Sequence, residues 1–273
     1  MKELKDKVAV ITGAASGIGR GIAQALAAEG CHVVVADIEE EPAVRVAEEL
    51  RGRGVRALGV HCDVSERSSV EALAERAWAE LGRVDVLCNN AGVGFLSAVA
   101  ETSLRELQWV FSVNFLGVFH GCSVFVPRLR GQGGPAHIVN TGSEHSIAVP
   151  FPGMGIYTAS KHAVLGLSDV LRRELEPEGI GVSILCPAAV RTEIWNAARS
   201  RPERFGGLQQ SPEEYRSFLA AGMDPDEVGR RAVAGIQRGD FYIVTHPEVR
   251  GLVEARYQEL LSAFDARAPD GAT

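Results

Sequence analysis

The sequence predicts an α/β fold in which a doubly wound, mostly parallel sheet of about seven strands carries helices on both faces. Short apolar runs alternate with longer segments of helical periodicity. The runs are continuous rather than alternating in polarity, as expected for strands that are covered on both faces. Repeated strand–helix–strand crossovers favour parallel neighbours. The predicted strands are Val8–Thr12, His32–Asp37, Ala57–Cys62, Val84–Asn89, His137–Thr141, Val182–Pro187 and Phe241–Thr245.

The periodicity between these strands predicts the connecting helices. The first carries Ile18, Ile22 and Leu26 on one side and ends near Gly30, because glycine commonly terminates a helix. Three further helices are predicted over Val70–Leu81, from Ser103 towards Pro127, and from about Tyr157 to just before Pro177.

The domain organisation follows from the absence of a Ser/Pro-rich linker. Residues 1–263 are interpreted as a single domain, and the small, polar residues 264–273 as a frayed C-terminal tail. Residues 193–223 interrupt the strand–helix rhythm after the end of a strand. A connection of this length with apolar content favours a substrate lid, although a surface excursion with helical turns is the alternative.

Composition excludes several classes of partner. A net charge of -7 with scattered arginines gives no basic face for nucleic acid. The predicted strands are too short to cross a membrane, so no membrane association is expected. Five widely spaced cysteines are interpreted as reduced thiols of a cytoplasmic protein. Neither they nor the seven histidines show paired ligand spacing, so no metal site is predicted.

A glycine-rich turn follows the first predicted strand. Gly13, Gly17 and Gly19 let the chain turn sharply and let phosphate oxygens approach backbone N–H groups at a helix N-terminus. Such a turn alone is a weak signal. Two further features strengthen the prediction of a nucleotide site. Asp37 lies at the end of the second strand, where a carboxylate can accept hydrogen bonds from a ribose, and Asn89–Gly92 forms a small polar turn.

At this point the sequence resembles the short-chain dehydrogenase/reductase family, whose domain is of the Rossmann type. The resemblance rests on Thr12–Gly19 (TGAASGIG), Asn89–Gly92 (NNAG) and the Cys62–Val64 turn, with Asn114, Ser143, Tyr157 and Lys161 at the catalytic positions. It implies a nicotinamide coenzyme, with Val190 and Thr192 meeting its carboxamide, and Asp37 favours NAD as this cofactor. The implied cofactor-binding residues are Gly13, Ser16, Gly17, Ile18, Gly19, Asp37, Asp63, Val64, Asn90, Ala91, Gly92, Tyr157, Lys161, Pro187, Val190 and Thr192.

Tyr157 and Lys161 form the most informative pair. They are four residues apart on a predicted helix, so both lie on one face. Only four lysines occur among 28 basic residues, and composition alone would give about 0.06 such Tyr–Lys pairs by chance. An ammonium is a compact charge that can reach a ribose hydroxyl and a phenol together, which a guanidinium does not duplicate.

The chemistry expected of the site is acid–base catalysis coupled to hydride transfer. Lys161 and an oxidised nicotinamide should lower the pKa of Tyr157, which then takes the proton of a substrate hydroxyl. Ser143 would hydrogen-bond the reacting oxygen, with Ser146 as an alternative. Asn114 matches the family's asparagine that holds a water near Lys161, and a structural role in a polar break of the helix is its alternative.

The remaining polar residues near the site are less informative. His145 either contacts substrate or is solvated, and Arg199, Arg201 and Arg204 are expected to form a solvated face. Pro187 is followed by Ala188 where the family usually has glycine, so the backbone there must accept a Cβ. An apolar, ring-bearing substrate is suggested by Phe95, Leu96, Phe151, Met154 and Trp195.

The sequence therefore predicts an NAD-dependent oxidoreductase that interconverts a secondary alcohol and a ketone. The alternatives are an NADPH-dependent carbonyl reductase and a non-catalytic nucleotide-binding regulator. The acidic residues Glu39, Glu40 and Glu41 after Asp37 favour NAD, because the phosphate of NADP needs a nearby cation. Large apolar residues on more than one side of the Ser103–Phe125 helix predict a homo-oligomer, with a tetramer favoured.

Overall fold

A single seven-stranded sheet organises the chain. The computed structural model describes residues 1–149, 151–208 and 213–265. The strand order is β3-β2-β1-β4-β5-β6-β7, and each pair of neighbouring strands is parallel. The predicted doubly wound fold is confirmed. The strands are β1 (Val8–Thr12), β2 (His32–Asp37), β3 (Ala57–His61), β4 (Val86–Asn89), β5 (Ala136–Thr141), β6 (Ile180–Cys186) and β7 (Tyr242–Val244).

Helices connect these strands and cover both faces of the sheet. The four predicted helices are present, and helices that the sequence reasoning did not define lie before β3 and on either side of β7. The α-helices are α1 (Gly17–Ala28), α2 (Glu40–Arg51), α3 (Arg67–Leu81), α4 (Leu104–Phe111), α5 (Gly117–Gln132), α6 (Glu144–Ile147), α7 (Gly155–Leu175), α8 (Glu213–Ala220), α9 (Pro225–Arg238) and α10 (Arg250–Asp265).

Alternate side chains of strands β1 to β6 pack into two hydrophobic cores. In β1, Val8 and Val10 join the core under α3, α5 and α7, whereas Ala9 and Ile11 join the core under α1, α2 and α9. All of these side chains are at most 1% exposed, which explains why the strands read as continuous apolar runs.

The helix that carries Asn114 departs from the prediction. It does not end at Pro127 but continues to Gln132, with Pro127 inside it. Residues Ser112–Leu116 form a turn of π-helix between α4 and α5, a local widening that often occurs at functional sites. The combined span 104–132 is long and apolar enough to cross a membrane, but 56% of its apolar window is buried, as in a core helix.

The first two residues of the predicted frayed tail are helical instead. Phe264 and Asp265 belong to α10, and residues 266–273 lie outside the described residues. Leu260, Leu261 and Phe264 of this helix are more than half exposed.

Candidate active site

The glycine turn forms a tight cradle between β1 and α1. Gly13 and Gly17 have φ values of +64° and +52°, which L side chains rarely adopt. A Cβ on Gly13 would come within 2.8 Å of the Ala91 Cα, and one on Gly19 would collide with the Gly13 carbonyl. The backbone is therefore bare at the N-terminus of α1, the kind of surface that phosphate groups approach closely. The residues fit a dinucleotide.

The ends of β1 and β4 are tied together beside this cradle. Thr12 Oγ1 accepts hydrogen bonds from the backbone N–H groups of Asn90 (3.0 Å) and Ala91 (3.1 Å). Asn90 Nδ2 donates to the Thr12 carbonyl at 3.0 Å. β1 and β4 are the neighbours at which the strand order reverses, and nucleotides bind at such switch points in open α/β sheets.

Asp37 lies at the end of β2 with its carboxylate held in place by the backbone. Its Oδ2 accepts from the Ala15 N–H and its Oδ1 from the Glu39 N–H, both at 3.0 Å. Burial raises the pKa of this carboxyl, whereas the two backbone donors and nearby Arg199 lower it. Because each carboxylate oxygen has further lone pairs, Asp37 can still accept from ribose hydroxyls.

Ser143, Tyr157 and Lys161 meet at the other end of the same cleft. Tyr157 and Lys161 lie on α7, and Ser143 follows β5. The Lys161 Nζ lies 5.7 Å from the centre of the Tyr157 ring and donates to the Thr141 carbonyl at 2.9 Å. Tyr157 and Lys161 are 8% and 3% exposed, so the strand and helix hold them in a largely dry site.

The pKa of Tyr157 differs from the sequence expectation. The pKa of Tyr157 is raised to about 12, mainly because burial removes the phenol from water. A hydrogen bond from Ser143 lowers this pKa, and the charge of Glu144 raises it further. Burial also lowers the pKa of Lys161 to about 8. The expected lowering of the tyrosine pKa is therefore not produced by the protein alone, because removing a phenolate from water is costly. The hydrogen bond from Ser143 favours the ionised form.

Asn114 is buried behind the cleft rather than on its wall. Its Oδ1 accepts from the Val93 N–H at 2.8 Å, and its Nδ2 donates to the Val93 carbonyl at 3.0 Å and to Ser160 Oγ at 3.2 Å. These bonds join the π-helical turn to the chain after β4 and to α7. Asn114 thus has the structural role that the sequence analysis gave as its alternative. Its role in holding a water near Lys161 stays a prediction.

Ser146 is not an alternative to Ser143 in this geometry. Its Oγ accepts from the Ser143 N–H at 3.1 Å and donates to the Lys161 carbonyl at 2.8 Å. Ser143 faces the cleft, and Ser146 instead fixes the turn that presents it. The backbone at Ala188 accepts its Cβ as expected, since Asp6 alone among the described non-glycine residues has a positive φ.

The cleft brings together nearly all of the predicted site residues. With the solvent at its open mouth included, the cleft has a volume of about 1510 Å³. Every predicted cofactor-binding residue and three of the four catalytic residues line it, Asn114 being the exception. Within the described ranges, no cluster of three or more His, Cys, Asp or Glu side chains could hold a metal ion.

The apolar wall beside Tyr157 differs from the predicted one. Phe151 and Met154 line it as expected, whereas Phe95, Leu96 and Trp195 do not. The sequence reasoning missed a further set, drawn from the chain after β4, from α4 and its π-helical turn, and from the segment after β6. These are Val93, Trp109, Val113, Ile194, Ala197 and Leu219.

The three arginines of the predicted lid do not form a solvated face. Arg199 pairs with Glu39 at 2.7 Å, and Arg204 pairs with Asp63 at 2.8 Å and Glu66 at 3.0 Å. Arg201 is 3% exposed and stacks on the Trp109 ring at 4.7 Å. Arg199 and Arg204 therefore tie this segment to the chain after β2 and after β3. Residues 209–212 within the segment lie outside the described residues.

His145 and Glu144 are buried beside Ser143. His145 is 4% exposed, so the solvated alternative is wrong, and burial lowers the pKa of its imidazole to about 4. Glu144 was missed as a site residue. It lines the cleft, and burial and nearby Glu248 raise the pKa of its carboxyl.

Comparison with known proteins defines the class. The family model for short chain dehydrogenases matches residues 7–203, and the chain belongs to this family. It is 34% identical over 272 residues to a C alpha-dehydrogenase of Sphingobium sp., covering 96% of this chain and 88% of that protein.

Two further relatives extend this comparison. A 1-deoxy-11-beta-hydroxypentalenate dehydrogenase of Streptomyces exfoliatus is 41% identical over 227 residues, with 82% of each chain covered. A short chain dehydrogenase/reductase from Burkholderia phymatum, solved in complex with NAD, has a TM-score of 0.92 at 39% identity, covering 100% of this chain and 99% of that one. Its ligand is the cofactor predicted from the sequence.

Proposed function

We propose that this oxidoreductase uses NAD to interconvert a secondary alcohol and a ketone. The observation that carries the proposal is one continuous cleft with Asp37 at one end and Ser143, Tyr157 and Lys161 at the other. NAD, when bound, supplies the nicotinamide that accepts or donates the hydride. The solved relative with NAD and the dehydrogenase names of the other relatives support the same activity.

Three residues of this chain provide the proton transfer and the stabilisation of charge. Tyr157 takes the proton of the substrate hydroxyl during oxidation and returns it to the ketone oxygen during reduction. Ser143 hydrogen-bonds the same oxygen as its charge changes. Lys161, buried 5.7 Å from the tyrosine ring, stabilises the phenolate and is placed to reach the ribose.

The substrate proposed for this site is apolar and ring-bearing. Apolar side chains line this part of the cleft, among them Trp109, Phe151, Met154, Ile194 and Leu219. Aromatic and aliphatic walls bind rings by burying apolar area rather than by directional bonds. Residues 193–223 act as the substrate lid, since Ile194, Ala197 and Leu219 all come from them.

A screen of secondary alcohols and ketones tests this function. The purified protein should reduce NAD with aryl or cyclic secondary alcohols, followed by the absorbance of the reduced nicotinamide. If NAD binds but no alcohol or ketone is turned over, the result favours a non-catalytic nucleotide-binding regulator and the proposed activity is wrong. Turnover with NADP alone would favour the carbonyl reductase.

A homo-oligomer, with a tetramer favoured, is expected in solution. Trp109 and Phe125 of this helix are buried within the chain, but Leu116 and Phe119 are 38% and 44% exposed on it. An apolar helix side left in water favours a partner. Sedimentation or light scattering at micromolar concentration should give a multiple of 29.2 kDa, and a monomer mass would contradict the prediction.

A cytoplasmic location is proposed from the thiols. All five cysteines are buried and unpaired, which fits a reducing compartment.

A further inference from the structure

His145 is a buried polar group on the substrate wall that the proposed chemistry does not use. Its ring lies 5.2 Å from the Tyr157 ring in an edge-to-face arrangement and 6.0 Å from the Phe151 ring. It therefore stands between the proton-transfer residue and the apolar wall, where the part of a substrate next to the reacting carbon must lie.

One nitrogen of this imidazole is anchored, and the other is not. Nδ1 shares a hydrogen bond of 2.8 Å with Thr158 Oγ1 on α7. Nε2 has no hydrogen-bond partner among the described residues, and it is not among their fully enclosed unpaired atoms. Since the residue is only 4% exposed and lines the cleft, Nε2 borders the cleft rather than bulk water.

A nitrogen in this position favours an uncharged oxygen as its partner. Burial disfavours the charged imidazolium, so near neutrality one ring nitrogen donates and the other accepts. Leaving such a group unpaired when a substrate displaces water from the cleft is unfavourable, and a substrate oxygen would remove that cost. A hydroxyl can donate or accept and suits either tautomer.

We propose that His145 Nε2 hydrogen-bonds a second oxygen of the substrate, carried one or two carbons from the reacting carbon. This inference rests on the proposed function and narrows its substrate class from ring-bearing secondary alcohols to ring-bearing diols and their hydroxyketones. Thr158 is the positioning residue that fixes the imidazole, and the edge contact with Tyr157 sets its distance from the reacting oxygen.

A matched pair of ketones tests the inference without requiring turnover. α-Hydroxyacetophenone and propiophenone have the same shape, and differ by a hydroxyl in place of a methyl group. Calorimetric titration of each into the protein saturated with NAD measures binding, because the carbonyl carbon and the coenzyme are both oxidised. A constant absorbance of the reduced nicotinamide checks that the hydroxymethyl group of α-hydroxyacetophenone is not oxidised. The unmodified protein should bind α-hydroxyacetophenone about tenfold more tightly, the effect expected of one buried hydrogen bond.

Variants assign that preference to His145. His145→Phe keeps a ring against Tyr157 but should abolish the preference, and His145→Gln should restore part of it. Thr158→Val, which removes the anchor of Nδ1, should weaken it. His61 is exposed and does not line the cleft, so His61→Phe is the control and should keep the preference for α-hydroxyacetophenone. The NAD affinity of each variant checks that it is folded.

The inference is wrong if the unmodified protein shows no preference for α-hydroxyacetophenone over propiophenone, or binds neither ketone. It is also wrong if His145→Phe shows the same preference as the unmodified protein. Failure of the proposed function is a separate observation, namely the absence of hydride transfer in the alcohol and ketone screen.

Discussion

Replacing Tyr157 with phenylalanine should reduce turnover by at least about 10²–10⁴-fold, the usual contribution of general acid–base catalysis, while NAD affinity stays nearly unchanged. Among the described residues, Tyr157 is the only tyrosine that lines the cleft. Phenylalanine fills the same space against His145 and Lys161 but carries no exchangeable proton. Steady-state rates and a separate titration of the coenzyme distinguish a chemical defect from a binding defect.

Tyr242→Phe is a suitable control for this variant. Tyr242 lies on the edge strand β7, is 46% exposed and does not line the cleft, so losing its hydroxyl should leave turnover intact. Activity of Tyr157→Phe within a few-fold of the unmodified protein would remove Tyr157 from the mechanism. A matching loss in NAD affinity would instead assign it a role in binding.

The sheet and the cofactor end of the site were predictable because their signals are local. Val8–Thr12 reads as a strand because both of its faces are covered, and the glycine turn after it reads as a phosphate cradle because the backbone must turn sharply there. Strand ends that follow parallel crossovers meet at one edge of a sheet, so Asp37, Asn90 and Ser143 could be placed together from their positions alone.

The substrate end was less predictable because its contacts join distant segments. Trp109 reads as one more apolar residue of an amphipathic helix, and only the fold shows that its ring faces the cleft and is covered by Arg201. Arg199 and Arg204 read as a solvated face because their partners, Glu39 and Asp63, lie far away in the sequence. Burial of Glu144 likewise has no local signature.

Asp37 is expected to set the preference for NAD over NADP, and the structure changes one part of that argument. The sequence offered no cation near the ribose site, but the lid brings Arg199 there. Its guanidinium is held by Glu39 at 2.7 Å and lies close enough to lower the pKa of Asp37. Because Glu39 already neutralises this arginine, the carboxylate of Asp37 remains the uncompensated charge that a 2′-phosphate would meet.

Asp37→Ala should therefore lose catalytic efficiency with NAD and gain it with NADP in the same variant. The substitution removes the acceptor for the ribose hydroxyls and the like-charge contact with the phosphate. Such a contact costs several kcal/mol, and about 1.4 kcal/mol corresponds to tenfold, so the ratio of kcat/KM for NAD to that for NADP should fall by about 10²-fold or more. Initial rates with both coenzymes at saturating alcohol measure it.

Two further variants separate Asp37 itself from the acidic run that follows it. Asp37→Asn keeps one acceptor oxygen for either the Ala15 or the Glu39 N–H group and loses the other. It removes the charge at nearly the same side-chain shape and should shift the ratio in the same direction. Glu41→Gln removes a charge from an exposed carboxylate that pairs with Arg45 at 3.9 Å, and should leave the ratio unchanged. If Glu41→Gln shifts the ratio as far as Asp37→Asn does, the general negative potential of residues 37–41 selects the coenzyme. If the unmodified protein turns over NADP as efficiently as NAD, the role assigned to Asp37 is wrong.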